Sequence, residues 1–148
     1  MFDWKILTFE ECSKEQLYDL LELRNRVFIV EQEDPYADLD GWDLKAIHIL
    51  GYENNVLVAY SRLLPPGLKR KEAVLGRVCS AKTHRNCGMG NKMLELRLDY
   101  LRKHYPGCTV YTSLQAYRQA KYESLGFHAT SEPYIDGKIL HIDMIMNL

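Results

Sequence analysis

The sequence contains no pattern that would cross-link the chain or bind zinc through cysteine. Its four cysteines, among 148 residues, never occur as C-x-x-C, a spacing common in structural zinc sites and redox motifs. We therefore expect Cys12, Cys79, Cys87 and Cys108 to be free thiols. A chain of this length can bury enough surface to fold without such links, and its length favours one domain, residues 1–148.

Long apolar runs and an excess of positive charge are also absent. No run approaches the roughly 20 residues of a membrane span, and MFDWKILTFEEC, the first residues, lacks the apolar core of a signal peptide. We therefore expect a cytoplasmic protein without membrane association. The 19 Lys and Arg residues nearly balance 20 Asp and Glu residues. This balance argues against a nucleic-acid partner, which would require a strongly basic surface.

Short apolar runs alternate with amphipathic stretches along the chain. The apolar runs predict strands at 3–9, 46–53, 56–64, 73–80 and 109–114, and two last strands near 128–134 and 138–146. Helical spacing predicts helices at about 14–28, from the glycines near 90 to 105, and at 116–125. Ser13 and Gln16 form a capping-box pattern, and Asn54-Asn55 and Asp136-Gly137 are typical hairpin turns. The pattern predicts an α+β domain with a mixed sheet.

The segment THRNCGMGNKMLELRLDYL, residues 83–101, predicts a phosphate or pyrophosphate site. Gly88 and Gly90 permit close approach of the backbone to a ligand. The helix that follows exposes its first N–H groups and the positive end of its dipole, which favour phosphate oxygens. Arg85 could add a charge-assisted contact. A plain loop in which glycine only marks a turn remains the alternative.

Two familiar phosphate motifs do not fit this segment. A nucleotide-hydrolase loop requires Ser or Thr after its lysine, whereas Met93 follows Lys92. A dinucleotide fingerprint requires a third glycine, again at the place of Met93. A phosphate-binding oxidoreductase is therefore disfavoured.

The pattern Arg85-x-x-Gly88-x-Gly90, between a strand and a long helix, resembles the acyl-coenzyme A loop of the GNAT N-acetyltransferase superfamily. A second segment, YESLGF at 122–127, is similar to the Y-E-x-x-G-F motif of that family. The order of elements matches over nearly the whole chain, and VFIVEQEDPYADLDGWD and DGKILHIDM resemble the ElaA-type branch. The resemblance implies the acyl-CoA N-acyltransferase fold, with a mixed, mostly antiparallel central sheet of about seven strands flanked by helices.

The resemblance also implies an N-acetyltransferase that uses acetyl-CoA as co-substrate, with no metal or redox cofactor. Tyr122 would be the catalytic acid that protonates the departing thiolate; a core tyrosine on an amphipathic helix is the alternative. The cofactor-binding residues implied by the resemblance are Val78, Ser80, Arg85, Asn86, Cys87, Gly88, Met89, Gly90, Asn91 and Gln115.

The general base is not defined by the sequence. Many members of the family carry a glutamate on the strand before the loop, but 73–80 contains none and Glu72 precedes it. The candidates are Glu31, Asp40, His48, His141 or a water chain. Without an assigned base, a non-catalytic acyl-CoA sensor remains the alternative function. An acetyl-cysteine intermediate on nearby thiols is disfavoured, because proximity is its only support.

The stretch 31–43 suggests how an acceptor could be attracted. It carries six carboxylates and no basic residue, so it is either a solvated acidic loop or a surface that draws in a cationic amine. The acceptor itself, and the choice between monomer and homodimer, are left open by the sequence.

Overall fold

The computed structural model describes all residues, 1–148. Its strands are β1 (Phe2–Thr8), β2 (Ile47–Glu53), β3 (Val56–Leu64), β4 (Ala73–Ser80), β5 (Thr109–Gln115), β6 (His128–Ala129), β7 (Tyr134–Asp136) and β8 (Ile139–Asn147). Its α-helices are α1 (Lys14–Arg24), α2 (Met89–His104) and α3 (Gln119–Ser124). A π-helical segment covers Asn25–Glu31, and short 3-10 turns cover Trp42–Lys45, Lys82–His84 and Ala116–Arg118. None of these helices is both long and apolar enough to span a membrane.

All strands join one sheet in the order β1-β2-β3-β4-β5-β8-β6, with β7 also paired to β8. Every pairing is antiparallel except that of β4 with β5, which is parallel. The expected mixed, mostly antiparallel sheet is thus confirmed. It has eight strands rather than about seven, because the strand predicted near 128–134 divides into β6 and β7 around Pro133. Proline lacks the N–H that a continuous ladder would need.

The first predicted helix, 14–28, differs from the structure at its end. Ser13 caps α1 as expected, since its hydroxyl accepts from the Gln16 amide at 3.0 Å and its own amide donates to the Gln16 side chain at 2.8 Å. The α-helix stops at Arg24, and the chain continues as the π-helical segment to Glu31. Apolar spacing over so few residues does not distinguish the two helix types, so the sequence could not show this change.

The parallel pair at the centre of the sheet separates soon after it forms. Ladder pairing of β4 with β5 is confined to 73–75 and 110–112. Further along, β4 pairs only with β3, and the register shifts at a bulge where Arg77 has a φ of +51°. The edges of β4 and β5 that face each other beyond Leu75 therefore carry unpaired backbone groups. The result is a V-shaped opening in the middle of the sheet.

Helices cover both faces of the sheet, which is why β3 is buried along Leu57–Leu64. On one face, Arg24 of α1 lies over the Tyr60 ring at 5.7 Å. On the other face, Trp4 covers Gly51 so closely that a Cβ there would lie 2.7 Å from the indole. A shallow cavity of about 300 Å³ joins Trp4 to the first turn of α2, so α2 lies on this second face. We call the two sides the α1 face and the α2 face.

Candidate active site

The loop after β4 forms an open anion-binding site at the start of α2. Asn86 and Gly88 both have positive φ values, +61° and +84°. Gly88 is the N-cap of α2 and has no side chain to satisfy the first amides of the helix. A Cβ at Gly88 or Gly90 would meet nothing within 4 Å. The free amides therefore face open space at the positive end of the helix, as a phosphate site requires.

Arg85 is held beside this loop by an acidic side chain. Its guanidinium donates to the Glu31 carboxylate at 2.6 Å and to the Ser80 carbonyl at 3.1 Å. Both side chains are partly exposed. Glu31, at the end of the π-helical segment, therefore neutralises the cation that was expected at the pyrophosphate. A phosphate at this loop would have to share Arg85 with Glu31 or displace it.

The other predicted cofactor residues line the V-shaped opening. Val78 is 39% exposed, and Ser80 and Gln115 are half-buried at the ends of β4 and β5. Across the entrance, Lys121 of α3 donates to the Asn91 side chain of α2 at 2.5 Å. The structure thus places the glycine loop and the two strand ends around one opening.

Tyr122 lies in α3 on the α2 face of the sheet. It is half-buried and packs edge-to-face on Phe127, with ring centroids 5.3 Å apart. Its hydroxyl makes no hydrogen bond to another protein group, so it is available to a ligand. The neighbouring Arg97 of α2 is buried with Nη1 unpartnered, and its only hydrogen bond is to the Met93 carbonyl at 3.3 Å. Burial lowers the pKa of Arg97 to about 10, and the nearby Tyr122 acts against that shift.

His48, one of the candidate bases, is enclosed in the structure. Its ring is fully buried; Nδ1 lies 2.6 Å from the Tyr60 hydroxyl, and Nε2 lies 2.9 Å from the Asp43 carbonyl. A carbonyl can only accept, so Nε2 carries the proton and Nδ1 accepts from Tyr60. Burial lowers the pKa of His48 and keeps the ring neutral. Both nitrogens are occupied, so the expectation that His48 could be the base is wrong.

Asp40 is likewise occupied, by two arginines. Its carboxylate pairs with Arg62 at 2.7 Å and Arg77 at 3.2 Å. Burial would raise the pKa of Asp40, but the hydrogen bonds and charge of Arg62 outweigh burial and lower the pKa to about 2. So acidic a carboxyl is a poor proton acceptor near neutral pH.

Three carboxylates of the acidic stretch 31–43 are paired with arginines from other parts of the chain. Arg24 pairs with two of its carboxylates, Asp38 at 2.9 Å and Asp43 at 2.8 Å. The complete network comprises Arg24, Arg62, Arg77, Asp38, Asp40 and Asp43. These three carboxylates are therefore paired with arginines rather than free to attract a cationic acceptor, whereas Glu33 and Asp34 of the same stretch make no ion pair. The pairs instead hold the loop against the α1 face.

His141 is the candidate base whose reactive nitrogen is free. Its Nδ1 lies 2.9 Å from the Ile139 carbonyl, so Nδ1 carries the proton. Nε2 makes no hydrogen bond to the protein and presents its lone pair. The ring stacks on Tyr134 with centroids 6.3 Å apart, which holds its orientation. His141 pairs with Gln115 in the β5–β8 ladder, directly beside the opening.

The fold and the glycine loop together match a known acyltransferase family. The family model described as "Acetyltransferase (GNAT) domain" matches residues 9–148. The chain belongs to this family. The protein ElaA of Escherichia coli (strain K12) is 40% identical over 146 residues, covering 97% of this chain and 95% of ElaA. The resemblance to the ElaA-type branch is thereby confirmed.

Solved structures of GNAT proteins agree with the fold. An acyl-CoA N-acyltransferase from Pseudomonas aeruginosa superposes with a TM-score of 0.95 at 36% identity, covering 99% of both chains. A GNAT acetyltransferase from Elizabethkingia anophelis, solved with acetyl-CoA bound, has a TM-score of 0.65 at 15% identity, covering 99% of this chain and 98% of that one. At that identity the second comparison shows the fold alone.

Membership of the GNAT family makes this chain an N-acetyltransferase-type enzyme. The structure argues against Cys79 as the carrier of a covalently bound acetyl group. Burial raises the pKa of the Cys79 thiol to about 12. Such a thiol is protonated at neutral pH and is a weak nucleophile. All four cysteines are unpaired, but Cys79 is unsuited to carry an acetyl group.

Three further polar residues belong to this site, and the sequence indicated only one of them. Ser113, Tyr134 and Asp143 lie beside His141 on the α1 face of β5, β7 and β8. A signal existed for one of them, because His141 and Asp143 are two apart on a predicted strand and so share a face. Their partners, however, are set by pairing with Ser113 and by the hairpin that brings Tyr134 back.

Proposed function

We propose that the protein is an acetyl-CoA-dependent N-acetyltransferase that moves the acetyl group to a primary amine by direct attack in a ternary complex. The observation that carries this proposal is the V-shaped opening between β4 and β5, which lies beside the uncapped start of α2. An extended thioester carrier needs both features: amides for its diphosphate, and unpaired strand edges for its amide-containing arm.

The carrier would bind along the α2 face and reach through the opening. The backbone amides of 87–91 would bind the diphosphate, and Asn86 would add a further contact. Arg85 would also contact the diphosphate after it gives up its ion pair with Glu31. Backbone groups of Val78 and Ser80 would pair with the pantetheine arm, and Gln115 would face that arm from β5. The Elizabethkingia neighbour, which shares the fold, was solved with acetyl-CoA bound, so this fold can accommodate that cofactor.

The acceptor would approach from the α1 face, where His141 lies. An alkylammonium with a reference pKa near 10.4 is neutral about once in 2,500 molecules at pH 7, a cost of roughly 4.6 kcal/mol. We assign the removal of its proton to Nε2 of His141. The free amine then attacks the carbonyl carbon, the C–N bond forms, and the C–S bond breaks. Tyr122 gives its proton to the departing thiolate, which leaves as coenzyme A, and the tyrosinate regains a proton from the cationic nitrogen as the amide forms. His141 releases the first proton to solvent, so the net reaction yields the acetylated amine, coenzyme A and one proton.

A thiol-release assay tests this function directly. The protein is incubated with acetyl-CoA and a panel of primary amines, and free thiol and acetylated amine are both measured. We expect amine-dependent thiol release in equal amount to the acetylated product. Acetyl-CoA binding without thiol release for any amine would contradict the proposal and would favour the non-catalytic sensor.

A further inference from the structure

The α1 face of the sheet is open where β5 meets β8. Leu64 pairs with Val74, and Val74 pairs with Tyr111, so Tyr111 lies on the same face as α1. Ser113 follows on that face, and it is the first residue of β5 beyond the parallel ladder. Helix α1 packs on β3 and β4 and does not cover this position, since Ser113 is exposed. Ser113 is the first of the polar residues that line the opening on the α1 face.

A chain of short hydrogen bonds links the polar residues on this face. The Tyr134 hydroxyl lies 2.6 Å from Oδ1 of Asp143 and 2.5 Å from the Ser113 hydroxyl. An ionised carboxylate only accepts, so Tyr134 donates to Asp143 and Ser113 donates to Tyr134. Ser131 accepts from the Asp143 amide at 3.1 Å. The Tyr134 hydroxyl, a neutral group, therefore orients the Asp143 carboxylate, and Ser131 holds the Asp143 backbone.

No cation of the protein pairs with Asp143. None of the protein's Lys, Arg or His side chains approaches the Asp143 carboxylate within 4.0 Å. By contrast, Asp38, Asp40 and Asp43 of the acidic stretch each form ion pairs with arginines. Arg70, which stacks on the Tyr111 ring at 3.8 Å, pairs with Glu72 instead. A half-buried, oriented carboxylate without a cationic partner would gain from a cationic ligand.

We propose that Asp143, oriented by Tyr134, binds a second positive group of the acceptor, and that the acceptor is a short diamine or a similar dication. This inference rests on the proposed function, which assigns the reacting nitrogen to His141. A carboxylate stabilises the protonated form of a bound amine and so would hinder attack by that nitrogen. Asp143 therefore suits the nitrogen that does not react.

The Cα spacing of His141 and Asp143 along β8 gives the approximate length of a matching acceptor. His141 and Asp143 are two residues apart on β8, which places their Cα atoms about 6.6 Å apart on one face. A linear diamine with four or five carbons has its nitrogens separated by a similar length. Putrescine is the matching probe. Butylamine replaces its second ammonium group by an uncharged methyl end, and γ-aminobutyrate replaces it by a carboxylate.

The test measures charge selectivity in binding and in turnover. Affinity for each probe is measured by calorimetry without acetyl-CoA, and kcat/KM by thiol release. We expect the wild type to favour putrescine over butylamine by about ten- to hundredfold and to favour γ-aminobutyrate least. Asp143→Asn keeps an acceptor for the Tyr134 hydroxyl, and it should abolish the preference for putrescine over butylamine. Asp99→Asn, an exposed position on α2, should preserve it.

The outcomes separate this inference from the proposed function. Equal binding and turnover of putrescine and butylamine by the wild type would overturn the role of Asp143, even if amines are acetylated. Charge-selective binding that is lost in Asp143→Asn, without any thiol release, would support the Asp143 site and contradict acetyl transfer. If Asp143→Asn fails to fold, the wild-type preference and its reduction in Tyr134→Phe decide the matter.

Discussion

Replacing Tyr122 by phenylalanine is expected to lower kcat by about 10²- to 10⁴-fold, the usual contribution of a positioned acid. The affinity for acetyl-CoA should be unchanged, because the ring remains packed on Phe127. Thermal stability should be unchanged too, since the hydroxyl makes no hydrogen bond within the protein. Stopped-flow or steady-state thiol release gives kcat, and calorimetry gives the affinity.

Tyr18→Phe provides the matched control for this substitution. Tyr18 lies on α1 and is 73% exposed, so the same loss of a hydroxyl there should leave kcat, affinity and melting temperature alone. A Tyr122→Phe enzyme with wild-type turnover would show that Tyr122 is a packing residue of α3. A lowered melting temperature with unchanged turnover would lead to the same conclusion.

The second large effect is expected at His141. Asparagine there retains a donor for the Ile139 carbonyl and removes the free Nε2. We expect kcat/KM to fall by about 10²- to 10⁴-fold near neutral pH. The loss should shrink as the pH approaches about 10, because the acceptor amine then deprotonates in solution without a base.

The pH profile distinguishes a base from a structural residue. Without a base, turnover depends on the fraction of the acceptor amine that is already neutral in solution, and that fraction rises with pH. The kcat/KM of His141→Asn should therefore rise more steeply with pH than that of the wild type, so that the two profiles converge as the pH approaches about 10. His128→Asn, at an exposed position on β6, is the control. A His141→Asn profile parallel to that of the wild type at every pH would contradict the assignment.

Local signals in the sequence predicted most of the elements correctly. The Ser13–Gln16 capping box, the Asn54-Asn55 turn and the alternation of apolar runs all act over a few residues, and the structure contains the elements they predict. The glycine loop was found for the same reason, since Gly88 is required where φ is positive. Features that depend only on neighbours in the chain can be inferred from the sequence.

Features that depend on distant pairing could not be inferred. Arg24 and Asp38 are 14 residues apart and Arg77 and Asp38 are 39 apart, so the sequence showed only an acidic stretch and scattered arginines. Burial of both partners was needed to recognise a network. The same limit applied to His48, whose enclosure depends on Tyr60 in the next strand and on the Asp43 carbonyl.

The acceptor half of the site shows this limit most clearly. Three strands bring together Ser113, Tyr134 and Asp143, and each residue alone is an ordinary polar side chain on a strand. The selection of His141 among the candidate bases also required the structure, because it depends on which ring nitrogens are already occupied. Chemistry at a strand surface becomes visible only when the register of the sheet is known.

The central claim is that the amides around Gly88 and Gly90 bind the diphosphate of a thioester carrier. Its most direct test is a pair of calorimetric titrations of the wild type, one with acetyl-CoA and one with S-acetyl-pantetheine, which lacks the diphosphate and the nucleotide attached to it. We predict saturable binding of acetyl-CoA, at least about tenfold tighter than that of the shorter thioester. Equal affinities, or no heat from acetyl-CoA at millimolar concentration, would contradict the claim.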